Sequence, residues 1–434
     1  MSTDAVAVAG FAALFALMML RVPVGIAMGA VGVLGFGYIV GDITPALKLL
    51  AQSPIRTATD AEFAVIPLFL LMGAFASASG MSRELFRASN TFLGHMRGGL
   101  GIATIVACGG FAAICGSSVA TAATFSKVAY PEMRQYGYPQ SFATGVIAAG
   151  GSLGIMIPPS TVFAVYGLIT EQDIGKLFIA GIVPGIVLAT MLGVTTWYRA
   201  WRNGYPRMAK ASFAERVRAF KDSAWGLLLI VIVMGGIYSG LFTPTEAAAM
   251  SAVYAFVVAV FVYKDLKLSD VPRVLLSSAN LSAMLLYIIT NAILFSFLLT
   301  YENIPQALAQ WITSQGLGWI SFLLVVNVML LLAGNVMEPS SITLIMAPIL
   351  FPVAIKLGIN PIHFGILMVV NMEVGLCHPP VGLNLYVTSG IAKMGITELT
   401  VAVWPWLMTM LVFLAIVTYW PALSLALPRL LGMM

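Results

Sequence analysis

Gly154-Ile-Met-Ile-Pro158-Pro159 and Gly375-Leu-Cys-His-Pro379-Pro380 stand 221 residues apart in a chain of 434. A double proline removes two backbone donors and bars the residue before it from ordinary helix. Each stretch lies inside a long apolar run, Ser141–Ile169 and Ile362–Ile391. Each run therefore reads as a helix broken at its middle, and the constant spacing reads as a repeat.

Other landmarks keep the offset. Pro23, in Val22-Pro23-Val24, and Pro244, in Thr243-Pro244-Thr245, are 221 apart, as are Pro131 and Pro352, while Ser117-Ser118 and Ser340-Ser341 slip to 223. Chance supplies one such match readily, but not four at the same places in the hydropathy profile. The halves are expected at 1–198 and 223–434, joined by a basic arm at 199–222. Internal symmetry of this kind is common in secondary transporters, whose ligands bind near the midplane at the repeat interface.

Composition agrees with a bilayer. The chain is 60% apolar and 9% charged, against about 25% charged in soluble domains. A surface so poor in charge excludes a water-soluble globule. The formal charge of +5 is carried largely by short loops between apolar runs, which sets orientation rather than nucleic-acid binding. Three cysteines, Cys108, Cys115 and Cys377, lie within apolar segments and imply neither a disulfide framework nor a CxxC metal site. The apolar stretch Ala5–Leu20 is preceded by Asp4 and not by a basic cluster, so it reads as a span and not as a signal peptide.

Crossing the hydrocarbon core takes roughly 17–25 helical residues. In the first half the candidates are Ala5–Leu20, Val24–Val40, Phe63–Ala78, the broken helix at 141–169 and Leu177–Tyr198. In the second they are Trp225–Leu241, Glu246–Tyr263, Leu281–Thr300, the broken helix at 362–391 and Trp404–Leu427. Gly98–Ser126 and Gly318–Leu350 are too long, and too rich in small and polar residues at their middles, for simple spans. Each reads as a re-entrant hairpin. Five crossings per half is odd, so the second half is inverted relative to the first. Basic residues then fall mainly on one side: Arg21, Arg83, Arg87, Arg97, Lys127, Arg134, the arm Arg199–Lys221, Lys264, Lys267, Arg273 and Lys393. The other side holds Lys48, Arg56, Lys176, Lys356 and Arg429. The bias places the first side in the cytoplasm, and counting either hairpin as a span destroys it. The arm reads either as an amphipathic helix on the leaflet or as an ordinary loop.

Irregular backbone at membrane depth survives only where protein or a wet cavity satisfies it. The candidate site residues follow from that. At the hairpin tips they are Ser117, Ser118 and Thr121, and Ser340, Ser341 and Thr343. At the breaks they are Gly151, Ser152, Gly154, Pro158 and Pro159, and Asn371, Glu373, Gly375, Pro379 and Pro380. Half-helix N–H groups attract an anion, while hydroxyls and freed carbonyls suit a hard cation such as Na⁺. For a lone Ser-Ser pair or a lone Gly-x-x-x-Pro, helix packing and a simple kink are the commoner readings, and it is the pairing of both features in both halves that favours a site. Glu373 and His378 are intramembrane ionisable groups and so candidates by default, although Glu373 aligns with Ser152 and has no acidic counterpart. Glu338 is placed to cap a hairpin tip, Glu246 to start a helix, and Arg21 to anchor at the interface.

At these residues the chain resembles the large membrane (M) subunit of tripartite ATP-independent periplasmic (TRAP) transporters, DctM type. The resembling stretches are Gly116-Ser-Ser-Val-Ala-Thr121, Gly154–Pro159, Phe242-Thr-Pro-Thr-Glu-Ala-Ala-Ala249, Met337-Glu-Pro339, Pro348-Ile-Leu-Phe-Pro352, Pro361-Ile-His-Phe-Gly365 and Asn371–Asn384, in order over nearly the whole chain. The resemblance implies an elevator-type, Na⁺-driven importer of small organic anions, with C4-dicarboxylates the default, in the bacterial inner membrane. It implies a separate small membrane subunit (Q-type), a periplasmic substrate-binding protein (P-type), and no cofactor beyond the coupling ion. By position it adds Asn384 to the Na⁺ and substrate sites. A stand-alone sodium/dicarboxylate symporter of related fold is the nearest alternative. An intramembrane hydrolase would need a nucleophile beside a base, and the sequence holds neither GxSxG nor HExxH and only three scattered histidines.

Overall fold

The computed structural model describes residues 3–434 apart from 302, 304–305, 308–309, 312–313, 316–317, 336 and 380–381. The described residues are all helix and connection, without a strand. The first repeat runs α1 Thr3–Met19, α2 Val24–Val40, α3 Ile43–Thr59, α4 Val65–Ala78, α5 Met81–Leu93, the hairpin α6 Gly99–Cys115 and α7 Ser118–Gln135, the broken helix α8 Gln140–Ser152 and α9 Thr161–Thr170, then α10 Ile174–Arg202. The second runs α11 Phe213–Ile230, α12 Pro244–Val257, α13 Val271–Tyr301, the hairpin α14 Trp319–Gly334 and α15 Pro339–Lys356, the broken helix α16 Pro361–Cys377 and α17 Leu383–Ala392, then α18 Ile396–Tyr419 and α19 Ala422–Leu430. Among the described residues, seven helices are long and apolar enough to cross a membrane by length and composition.

The repeat offset recurs in the helix bounds. α7 and α15 both start and both end 221 residues apart, and α8 and α16 start 221 apart. The packing is crosswise between the repeats. α2 lies against α13 and α4 against α12, while α7 lies against α17, α9 against α15, α8 against α18 and α10 against α16. Each contact has its mirror, as expected of two inverted copies sharing one interface. The first halves of the broken helices are deeply set: every residue of α16 from Ile362 to Cys377 is buried, as is every residue of α8 from Phe142 to Ser152.

Three local features differ from the expected spans. α3 and α5 are helices in stretches that read as loops, because both are amphipathic and too polar for a hydropathy search. Asp42 caps α3 by accepting from the Thr44 N–H at 2.9 Å. The hairpin return legs run on to Gln135 and Lys356, beyond the expected Ser126 and Leu350. The basic arm is not a separate helix. Arg199 and Arg202 finish α10, and α11 begins at Phe213 behind a Ser212/Glu215 capping box. It then continues through a π turn at Val231–Gly235 into the crossing.

Candidate functional site

The first hairpin turns in two residues. Gly116 ends α6 in the left-handed region (φ 63°) and Ser117 caps α7, its side chain accepting from the Ala120 N–H at 3.4 Å. A side chain at Gly116 would be strained by that φ and would also come within 2.9 Å of the Pro159 carbonyl. The tip therefore lies directly on the break between α8 and α9. Gly154 completes the fit: a Cβ there would sit 2.5 Å from the Ser117 carbonyl oxygen and from the Ser118 N and Cα. Gly151 is similarly closed by Ala122. Two hydroxyls bolt tip to break, Ser118 Oγ donating to the Ser152 carbonyl at 2.9 Å and Thr161 Oγ1 to the Gly116 carbonyl at 3.2 Å. Thr121 Oγ1 donates back to the Ser117 carbonyl at 2.8 Å. Beyond Pro158-Pro159, Ser160 caps α9, accepting from the Phe163 N–H at 3.5 Å.

The second tip repeats the backbone approach with different side chains. Gly334, ending α14, meets Gly375 near the end of α16, where a Cβ on Gly375 would be 2.7 Å from the Gly334 Cα. Glu338 caps α15, accepting from Ser340 Oγ at 2.9 Å and from the Ser341 N–H at 3.2 Å, and remains exposed. Thr343 Oγ1 donates to the Pro339 carbonyl at 3.0 Å, with the Met372 sulfur 3.6 Å away. His378, at the break, lies with Nδ1 3.1 Å from Asn335 Oδ1, and the Gly382 N–H reaches the Asn335 carbonyl at 3.4 Å. Pro379 follows His378, while Pro380 lies outside the described residues.

The remaining candidates spread out. Asn371 turns from the tip, donating to the Leu367 carbonyl and to Asn327 Oδ1, both at 2.9 Å, and Asn327 passes the chain on to Thr418 at 2.8 Å. Asn384 Nδ2 and the Cys377 thiol both point at the Ala148 carbonyl of α8, at 3.4 and 3.2 Å. Glu373 is fully buried, and neither carboxylate oxygen has a hydrogen-bond partner among the described residues. Arg21 lies in the exposed turn after α1. Four residues in the contacts were not singled out from sequence: Asn335, Gly334, Ser160 and Thr161. The hydroxyls after Pro158-Pro159 were a usable signal for the last two.

Chemically, each tip-and-break contact joins two helix C-termini to two N-termini. The first gathers the ends of α6 and α8 with the starts of α7 and α9. At the first, carbonyls and N–H groups thus face one small region, giving partial charges of both signs without a charged side chain, whereas the second adds the Glu338 carboxylate. Such a place suits a cation beside an anion and offers no nucleophile–base pair for hydrolysis. Among the described residues no His/Cys/Asp/Glu cluster forms a metal site. Between the outer helices and this core lies a cavity of about 410 Å³, lined by Ser53, Arg56 and Thr57 of α3, Ser296 and Thr300 of α13, and Leu168 and Pro348 of the core.

Comparison with known proteins bears on this geometry. Residues 11–423 match the family described as "Tripartite ATP-independent periplasmic transporter, DctM component". The chain is 57% identical to the "C4-dicarboxylate TRAP transporter large permease protein DctM" of Rhodobacter capsulatus, over 98% of this chain and 99% of that one. It is 53% identical to the protein of the same name from Pseudomonas aeruginosa, over 89% and 91%. The "Isethionate TRAP transporter permease protein DctMQ" of Oleidesulfovibrio alaskensis is 36% identical over 96% of this chain and 65% of its own length. Among solved structures, the YdaH transporter of Alcanivorax borkumensis, described as having an unusual topology, shares the fold with a TM-score of 0.63 at 16% identity, over 87% of this chain and 89% of that one.

Proposed function

The chain belongs to the DctM family of tripartite ATP-independent periplasmic transporters, a transporter permease and not an enzyme, and from that premise we propose that it carries C4-dicarboxylates into the cell in exchange for the free energy of a sodium gradient. The observation that supports the reading best is the doubled contact of hairpin tip and broken helix, Gly154 on Ser117–Ser118 and Gly375 on Gly334. It supplies two sites of backbone and hydroxyl oxygens, the second with the Glu338 carboxylate at its cap, where an ion binds weakly enough to leave again. The substrate class rests on the relatives' names at 57% and 53% identity.

The energetics require more than a binding site. Moving one charge through 100 mV is worth about 2.3 kcal/mol, so importing a dianion against a negative interior costs about 4.6 kcal/mol. Two Na⁺ cancel that electrical work and leave the sodium concentration gradient to do the concentrating, and a third makes the cycle electrogenic as well as concentrative. In this proposal α6–α10 and α14–α19 form the moving core, and α1–α5 with α11–α13 the frame, in an elevator cycle. Crosswise packing within each group and the cavity between α3, α13 and the core support that division. A Q-type small subunit and a P-type binding protein complete the machine in the bacterial inner membrane. The test is uptake of radiolabelled succinate into proteoliposomes. With both partner subunits and an inward sodium gradient, uptake should exceed the sodium-free control at least tenfold, and with this chain alone it should be absent. Robust uptake by the chain alone would move it to the stand-alone symporter reading. Uptake that follows a proton gradient without Na⁺ would sink the sodium mechanism.

A further inference from the structure

The first hairpin tip rests on the frame as well as on the break. Cys115 is the last residue of α6, so its carbonyl is one that the helix end leaves without a partner inside the helix. That carbonyl lies on Gly73 of α4, where a Cβ would stand 2.7 Å from the Cys115 oxygen. One turn on, Ser77 Oγ is 3.5 Å from the Cys115 sulfur. One turn back, Phe69 meets Phe178 of α10 edge-on, with ring centroids 5.8 Å apart. Residues 69, 73 and 77 stand four apart, so one face of α4 is turned to α6 and α10. Phe75, on another face, meets Phe256 of α12 at 5.3 Å and ties α4 to the frame.

Other glycines at the boundary between core and frame meet side chains. A Cβ on Gly110 of α6 would be 3.9 Å from Leu85, one on Gly175 of α10 3.3 Å from Ile237, and one on Gly226 of α11 3.7 Å from Ile114. A side chain can change rotamer to let a neighbour pass, whereas the Cys115 carbonyl is fixed in the backbone of the tip. The second repeat does not repeat the contact. At the offset of 221, Leu294 and Leu298 of α13 stand where Gly73 and Ser77 stand in α4, and they close against Gly32 and Gly35 of α2 inside the frame. We propose that Gly73 and Ser77 form a seat by which the frame holds the first hairpin tip, through Cys115, in this state, and that the core must leave the seat to carry its ligands across. The inference rests on the division into core and frame proposed above. It assigns Gly73 a positioning role: a larger residue there would hold the tip off α4 and disfavour this state.

Ser77→Cys places a second thiol beside Cys115, and the test uses that variant assembled with its partner subunits in proteoliposomes. Copper phenanthroline should join the introduced thiol to Cys115, as read by peptide mass mapping. Uptake of labelled succinate should stop on oxidation and return with dithiothreitol. The companion is Thr195→Cys, Thr409→Cys, whose hydroxyls are 2.7 Å apart on α10 and α18, both within the core. Its crosslink should form and leave uptake as it was before oxidation. Gly73→Ala added to Ser77→Cys should slow the crosslinking about tenfold, with subunit assembly unchanged. Uptake that survives the crosslink to Cys115 would show that α4 and the tip travel together, and would overturn the seat. So would a failure to crosslink, an equal loss of uptake in the companion, or a crosslinking rate that Gly73→Ala leaves unchanged. If Gly73→Ala does not assemble, the two crosslinks decide the matter alone. Sodium-driven uptake by the reduced proteins tests the proposed function separately, because it depends on neither crosslink.

Discussion

The two hairpin tips are copies in backbone and opposites in chemistry. The first is sealed. Gly116 and Ser118 are buried, and hydroxyls from both sides close the gap between tip and break at 2.9 and 3.2 Å. The second is open at its cap, where exposed Glu338 binds two groups of its own tip, while Asn335 and His378 make the link to the break. Inverted repeats thus supply two equivalent places where half-helix ends meet, and later substitution makes one rigid and neutral and gives the other a carboxylate. In the proposed function the backbone symmetry offers two places for ligands, and the side-chain asymmetry leaves a carboxylate at one of them.

The largest effects should come where the tips are alike. Gly154→Ala would place a Cβ 2.5 Å from the Ser117–Ser118 backbone, and Gly375→Ala one 2.7 Å from the Gly334 Cα. Neither neighbour is a flexible side chain, so the tip must move, at about 3 kcal/mol or more. Both variants should lose sodium-driven uptake. Gly193→Ala in α10 meets nothing within 4 Å and should transport normally. Uptake measured beside the thermal midpoint checks all three, and a Gly375 variant with full activity would break the equivalence of the two contacts.

Where the tips differ, the two readouts should separate. Ser118→Ala removes a buried donor from the Ser152 carbonyl and should lower stability by about 1–2 kcal/mol. Glu338→Gln keeps a capping side chain whose oxygen accepts in the same place, so it should change stability by less than about 1 kcal/mol. Among the described residues it removes the one carboxylate hydrogen-bonded at either tip, and it should raise the Na⁺ concentration for half-maximal uptake about fivefold. Calorimetric unfolding and a sodium titration of uptake, run on both variants, test this. The reverse pattern, with stability lost at Glu338 and sodium dependence shifted at Ser118, would sink the sealed-versus-open distinction.

The parts of this architecture that sequence discloses are those written in local backbone chemistry. Pro158-Pro159 and Pro379-Pro380 break a helix wherever they stand, and hydroxyl-rich tips between apolar legs force a hairpin in lipid, so both hairpins, both breaks and their common offset were legible. α3 and α5 were not, because an amphipathic helix on a surface has no hydropathy signal of its own. Asn335 was missed because its role depends on His378, 43 residues away. Asn371 was expected to face the second tip, and its side chain instead donates to Asn327 Oδ1 and the Leu367 carbonyl. Contacts across the repeat interface depend on which faces meet, and that is not contained in either repeat alone.

The smallest expected effect isolates what a capping carboxylate does outside the core. Asp42 caps α3 as Glu338 caps α15, accepting from the Thr44 N–H at 2.9 Å and from Thr44 Oγ1 at 2.8 Å. Those bonds, the backbone one first, hold the Asp42 carboxyl below the usual carboxylate range. Its contribution to α3 is therefore present above the unfolded-state value of about 3.9 and fades as pH falls through the lower folded value. Asparagine caps nearly as well as aspartate and does not titrate. Hydrogen exchange of the Thr44 and Ala46 amides, measured between pH 3 and 6 and corrected for intrinsic rates, should show protection in wild type that declines towards the acid end. It should be flat in Asp42→Asn and low throughout in Asp42→Ala. If Asp42→Asn loses protection with acid as wild type does, another group sets the pH dependence, and the comparison with Glu338 must rest on the hairpin tip alone.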